Sequence, residues 1–347
     1  MLNQGVVSAV FAAMLFGAST PLAKLLVGDV SPVLLSGLLY LGSGIGLGLY
    51  RILRDAGWKP SGIQTGEWPW LLGAIFFGGV IGPVALMYGL TTVSGSAASL
   101  MLNLESVLTA VLAWVVFKEN ADKRIVLGMA AIVAGGAVLS WQPEGAGSSS
   151  LAGLAAIAIA CLCWAIDNNL TRKVSASDAV FIASTKGLLA GLVNGAAALG
   201  MGASLPAAQT SLMAMAVGLM GYGISLVFFV LALRGLGTAR TGAYFSTAPF
   251  MGSAVSLLFL GETATPSFWM AFALMGLGVW LHLSETHEHG HTHAPLEHTH
   301  VHTHDEHHQH PHEAGVNQTE PHAHWHRHSP MHHKHPHFPD IHHQHSH

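Results

Sequence analysis

The sequence predicts an all-α membrane protein of about ten transmembrane helices, two inverted five-helix repeats followed by a histidine-rich tail. Three observations carry this. Of the 347 residues, 51% are hydrophobic and only 9% charged, against about 25% charged in a soluble domain. The apolar residues fall in runs of bilayer-spanning length, and Lys and Arg between those runs are nearly confined to alternate connections. Stretches of the first half also recur, in order, in the second.

Each crossing needs roughly 20 mainly apolar residues at about 1.5 Å per residue. That rule places helices over 3–27, 31–50, 68–91, 95–117 and 124–141, then over 151–171, 178–201, 211–233, 240–260 and 266–284, with 142–150 as linker. The first run lacks a basic leader and outruns a signal-peptide core, so it reads as a retained helix. Trp68 and Trp70 open the third helix and Trp141 closes the fifth, at the headgroup level that indole rings favour. Gly42, Gly44, Gly46 and Gly48 form overlapping G-x-x-x-G patterns, read either as a close contact at a moving interface or as plain helix packing. Cys161 and Cys163 diverge by about 200° on a helix, so they neither bridge nor chelate together and read as small core residues. The formal net charge of -4 argues against nucleic acid as a partner.

Orientation follows from the basic residues. Arg51, Arg54 and Lys59 follow the second helix, Lys118, Lys123 and Arg124 the fourth, Arg172 and Lys173 the sixth, Arg234 and Arg240 the eighth. Lys24 alone lies on the sparse side. The positive-inside bias then puts the even-numbered connections, both termini and the tail in the cytoplasm of a cell-membrane protein.

The repeat aligns Phe16–Lys24 with Trp164–Arg172, Gly95–Ala98 with Thr238–Thr241, and Leu112–Glu119 with Val255–Glu262. An odd number of spans per half makes the repeats inverted, the architecture on which alternating access is built. Because each half ends its fourth helix in an apolar run and then Glu119 or Glu262, the chain resembles the EamA repeats of the drug/metabolite transporter superfamily over about residues 5–284. The resemblance implies a ten-helix carrier with cytoplasmic termini, whose cargo ranges in that family from amino acids to sugars, nucleotide precursors and drugs. It also implies a proline midway along each fourth helix. Pro249 fits, whereas the first half departs with Asn103-Leu104-Glu105-Ser106.

Ionisable groups inside spans are costly and are functional hypotheses by default. Glu105 lies near the bilayer centre, where a charged carboxylate is disfavoured; it suits a proton carrier that exchanges with a substrate cation, or one half of a buried ion pair. Asn103 is close in sequence but on another face. Asp167, Asn168 and Asn169 lie deep in the sixth helix, as lining for a cation site or as hydrogen-bonding glue and a helix-end cap. Lys186 reads as a counter-ion to Glu105 or Asp167, or as a contact for an anionic substrate group.

All 25 histidines lie between His282 and His347. The most regular runs are His287, His289, His291 and His293; His298, His300, His302 and His304; and His322, His324, His326 and His328. Polar, Pro-containing composition predicts that residues 285–347 lack regular structure without metal. Imidazoles at that density bind Zn, Ni, Co or Cu without selecting one, unless the tail is an inert low-complexity segment. The chain therefore reads as a proton-coupled exporter of a divalent transition-metal ion or small solute. The competitors are a metabolite, amino-acid or drug exporter whose tail buffers or senses metal, and a non-transporting, membrane-anchored metal store or sensor. No enzyme motif is present and no cofactor is required. The partners are membrane lipid, the small-molecule or metal-ion substrate, and a second copy of the chain as a homodimer.

Overall fold

The computed structural model describes residues 4–57, 59–117, 123–140, 150–284, 288–293, 296–302, 322–328 and 331–336. Lys118, Glu119, Trp141, the linker but for Ser150, His287 and His304 lie outside them. The chain is built of helices α1 (Gln4–Leu26), α2 (Pro32–Arg54), α3 (Trp68–Ala74), α4 (Gly82–Thr92), α5 (Gly95–Met101), α6 (Leu104–Phe117), α7 (Lys123–Ser140), α8 (Leu151–Arg172), α9 (Ala179–Gly200), α10 (Ala208–Gly218), α11 (Ser225–Phe245), α12 (Ala248–Phe259) and α13 (Pro266–Leu283). Wide π-helical turns at Ile75–Ile81 and Leu219–Ile224 join α3 to α4 and α10 to α11. Among the described residues, seven helical segments are long and apolar enough to cross a membrane singly. The fifth and tenth crossings, α7 and α13, are shorter, and the ninth is shared between the end of α11 and α12.

The two halves are equivalent in their irregularities as well as their helices. The π turns fall at matching places in the third and eighth crossings. The fourth crossing breaks at Leu102–Asn103 and the ninth at Ser246–Thr247, where bonds tighten to the i–3 carbonyl: Asn103 N–H to Leu100 O at 3.1 Å, Thr247 N–H to Tyr244 O at 3.1 Å. In the ninth crossing the break is followed by Pro249, whose missing N–H cannot continue the ladder. In the fourth the stretch Asn103-Leu104-Glu105-Ser106 stands at that place.

Helix pairing follows the repeat symmetry. α2 packs most extensively on its counterpart α9, and α7 on α13, while α1 against α11 mirrors α4 against α8. Glycine lets α2 and α9 approach closely: a Cβ on Gly44 would sit 2.3 Å from the Leu188 nitrogen, and one on Gly187 2.4 Å from the Gly44 nitrogen. Gly42 faces the Met215 backbone instead and Gly46 the Leu219 side chain, whereas Gly48 meets nothing. The four glycines therefore serve separate contacts. Both cysteines are buried and free, as small core residues.

One expected boundary takes a different form. α11 runs as helix through 234–239, where a connection is predicted. Phe229 and Phe245 nevertheless meet with ring centroids 4.9 Å apart. Sixteen residues of straight helix would separate them by about 24 Å, so the chain reverses near Leu236 using helical turns rather than an extended loop.

The basic connections after the second, sixth and eighth crossings share one end of the bundle. Arg51 and Arg54, at the end of α2, donate to Asp178 before α9 at 3.0 and 2.8 Å. Arg234 donates to the Ser175 and Ser177 carbonyls. Burial works to raise the Asp178 carboxyl, but the two guanidiniums outweigh it and hold it below its ordinary range. At the opposite end Lys24 reaches the Leu90 carbonyl, and Glu262 accepts from the Gly95 and Ser96 N–H groups at 2.8 and 2.9 Å. There it caps the N-terminus of α5, where a carboxylate suits the helix dipole.

The described residues of the tail form four strands, β1 (Glu288–His293), β2 (Leu296–His302), β3 (His322–His328) and β4 (Met331–Pro336), pairing antiparallel as β1 with β4 and β2 with β3. Alternating His-x-His has the period of a strand. The register sets His298 opposite His326, His300 opposite His324 and His302 opposite His322. In the other pair His289 stands opposite His335 and His291 opposite His333.

Candidate functional site

A cavity of about 60 Å³ opens between the halves near the middle of the bundle. Glu105 (α6), Asp167 and Asn168 (α8), and Lys186 (α9) line it together with Phe16, Tyr40, Trp164 and Tyr222, and Phe229 and Phe245 extend it toward the even-numbered end. The four polar positions are those singled out above, whereas the rings pass for ordinary core.

Charge in the cavity is unevenly matched. Lys186, 2% exposed, reaches both oxygens of Asp167 at 2.6 and 2.7 Å, and Thr171 donates to the same carboxylate at 2.8 Å. A buried ion pair with its remaining lone pairs hydrogen-bonded is locally neutral and self-sufficient. Glu105 stands apart: Asn168 donates to its Oε1 at 2.8 Å, and no ion pair to it exists among the described residues. Of the two counter-ion assignments open in sequence, Lys186 takes Asp167.

Two predicted site residues lie elsewhere. Asn169 donates to its own helix at Ala165 O, 2.9 Å, and does not line the cavity. Consecutive helical positions step by about 100°, so Asp167 and Asn168 reach the cavity and Asn169 turns away. Asn103 donates to Leu100 O at 3.1 Å and approaches Met275 Sδ at 3.8 Å. It serves the break between α5 and α6 rather than the site.

The π turn at Ile75–Ile81 shapes one wall. Wide turns leave carbonyls without their usual helical partner, and here side chains serve them. Tyr40 Oη and Trp164 Nε1 both donate to Gly78 O, at 2.7 and 2.9 Å, and Asn194 donates to Gly79 O at 3.1 Å. Gly78 is also where Asp167 passes closest: a Cβ there would lie 1.9 Å from Asp167 Oδ2.

The rings touch in series. Phe16 meets Trp164 at 5.6 Å, Tyr222 at 5.9 Å and Phe245 at 5.2 Å between centroids, and Tyr40 meets Tyr222 at 5.2 Å. Phe16 and Trp164 occupy equivalent positions in the two repeats, so their edge-to-face contact joins the halves at the cavity. That shared repeat position is the sequence signal that could have found them.

The chain matches the EamA-like transporter family twice, over residues 3–141 and 151–284. An uncharacterized transporter of Methanothermobacter thermautotrophicus is 26% identical over 276 residues, covering 74% of this chain and 80% of its own. A crystal structure of a protein with 19% identity superposes with a TM-score of 0.61 over 81% of this chain and 96% of its own, which shows a shared fold. With both repeats matched, ten crossings in inverted halves and a central polar cavity between them, the chain belongs to the EamA-like transporter family and is a multi-pass membrane transporter.

Proposed function

We propose that this transporter is a proton-coupled exporter of a small solute, working by alternating access, in which protons and substrate compete for Glu105. The observation that carries the reading is the uncompensated Glu105 carboxyl in a cavity whose other charges, Asp167 and Lys186, already neutralise one another. A carboxylate desolvated without a cation binds either a proton or a cationic ligand. One site that holds one or the other exchanges them, and an inward proton gradient then drives the solute out. The alternation of basic connections supports placing the end that holds Arg51, Asp178 and Arg234 in the cytoplasm of the cell membrane. The cavity extends toward that end.

In proteoliposomes, an acid interior should drive accumulation of a cationic probe, tetraethylammonium, with equal and opposite proton movement. One charge exchanged for one is electroneutral, so clamping the membrane potential with valinomycin and potassium should leave the rate within about twofold while collapsing the pH gradient abolishes it. Zinc and leucine in parallel vesicles report the competing cargoes. Voltage-driven flux of zinc that ignores the pH gradient would overturn the reading.

The cavity does not favour a transition-metal ion as cargo. Among the described side chains no group of three or more His, Cys, Asp or Glu residues is placed to hold a metal, and a Zn site needs about four such ligands. This supports the reading in which the tail handles metal separately. The paired register of β2 and β3, with three histidine pairs at alternate positions, supports metal binding by the tail, since cross-strand partners on one face lie about 5 Å apart. Rearranging 296–302 so that His falls at 297, 299 and 301 keeps composition but moves the histidines to the opposite face. Zinc affinity of the full chain should fall at least tenfold; an unchanged affinity would mean that composition alone binds the metal.

A further inference from the structure

We infer that the tail forms two separate sites for a divalent transition-metal ion, one in each strand pair, and that the chain joining them makes the two bind cooperatively. This rests on the reading that the tail binds metal, and adds where the ions sit, how many there are and in what order they bind.

Position by position, histidine follows the pleat. In β2 with β3, one side of the ladder carries Leu296 opposite His328 and then the pairs His298–His326, His300–His324 and His302–His322. The alternate positions carry Glu297 opposite Arg327, Thr299 opposite Trp325 and Val301 opposite Ala323, without histidine. In β1 with β4, His289 opposite His335 and His291 opposite His333 share one side with His293 and Met331, and the alternate positions include one histidine, His332. Composition alone would scatter imidazoles over both sides.

The dimensions fit an ion in each pair. Cross-strand partners on one side lie about 5 Å apart, and successive pairs on that side about 6.6 Å apart along the strand. The corners of such a rectangle are about 4 Å from its centre, a span that an imidazole and a Zn–N bond of about 2.0–2.1 Å cover. His289, His291, His333 and His335 mark one rectangle, and four ligands are what a closed Zn site takes. His298, His300, His324 and His326 mark the other, with His302 and His322 as a further row. Imidazole sets of this kind also suit Ni, Co and Cu.

The rectangles share no ion. Histidines stand at odd positions in β1 and at even positions in β2. Equal lengths of chain, 294–295 and 329–330, separate the two pairs on the two arms. Carried across those equal arms, the period of two assigns the rectangles to opposite sides of one ribbon.

Order of binding follows from the connection. Pairing β2 with β3 closes the segment 303–321, whereas pairing β1 with β4 first would close the whole of 294–330. The longer closure costs more entropy, and once β2 and β3 are clipped only the two short arms remain to be closed. Metal in the inner pair therefore strengthens the outer site, and by linkage the outer site strengthens the inner by the same factor.

The test uses the full chain in lipid nanodiscs and counts the zinc ions held against a chelating competitor. Two tight ions per chain are expected. Changing His298, His300, His324 and His326 together to Gln should remove one of them and leave the other bound about tenfold more weakly, and the same change at His289, His291, His333 and His335 should mirror it. Rearranging 288–293 so that His falls at 288, 290 and 292 keeps the composition and should also remove one ion. Two tight ions in the rearranged chain would overturn the assignment to strand faces. Undiminished affinity of the remaining ion in either quadruple variant would overturn the cooperativity. If deleting 285–347 removes the zinc while every variant keeps both ions, the paired sites fail and metal binding by the tail stands. If the deletion leaves the tight zinc on the chain, metal binding by the tail fails as well.

Discussion

Glu105→Gln should abolish pH-driven exchange in vesicles while the protein still inserts and folds. The amide keeps the acceptor that Asn168 uses at 2.8 Å, so the hydrogen bond survives, and removing a titratable group from a buried site carries no desolvation cost of its own. Melting in detergent should therefore shift by only a few degrees. The site loses both its proton and its counter-charge. Truncating one member of a buried charge pair costs about 2–5 kcal/mol, which is roughly 30-fold to several-thousand-fold in affinity for a cationic ligand. Glu105→Asp keeps the charge on a shorter stem and should retain partial exchange with an altered pH profile. Exchange in the Gln variant that still follows the pH gradient would remove Glu105 from the mechanism.

The second large effect concerns Asp167 and Lys186, and it is one of stability. Lys186→Met leaves the Asp167 carboxylate buried without its cation, and Asp167→Asn strands the Lys186 ammonium. Either change should destabilise the fold by about 3–5 kcal/mol. The double change Asp167→Asn with Lys186→Met removes both charges together and should recover most of that loss, since a neutral replacement of a buried pair is often close to isoenergetic. Exchange through Glu105 should return with it. Gly78→Ala provides an independent disruption, because its methyl would collide with Asp167 Oδ2; it should destabilise as the single variants do, and the double change should not relieve it, since asparagine is as large as aspartate. Thermal melts of the set measure this directly. A double variant as unstable as either single would show that the two side chains do not form a unit, and a stable double variant without exchange would give the pair a part in transport.

The crossings were legible in sequence because the bilayer imposes one strong rule: backbone polar groups must be satisfied within the helix over about 20 apolar residues. Boundaries agree within a few residues for most crossings, such as α8 at Leu151–Arg172 and α9 at Ala179–Gly200. The reversal after Leu236 was expected as a loop and is helical, since Gly, Thr and Arg there tolerate helical dihedrals and nothing forces an extended turn. Asp167, Asn168, Glu105 and Lys186 stood out because charge and amide inside a span are costly. Phe16, Tyr40, Trp164 and Tyr222 did not, because a ring in an apolar helix carries no such penalty and looks the same whether it packs in the core or lines a cavity.

The sequence by itself determined the two inverted halves, the crossings and the charge inventory of the membrane interior, all of which follow from local composition and spacing. It left open which carboxylate Lys186 neutralises, whether Asn103 and Asn169 face the cavity, and which rings border it. Those are questions of helix rotation and of contact between segments far apart in the chain. Only the tertiary structure decides them, through glycine contacts that bring α2 onto α9 and a π turn that turns the Gly78 carbonyl toward Tyr40 and Trp164.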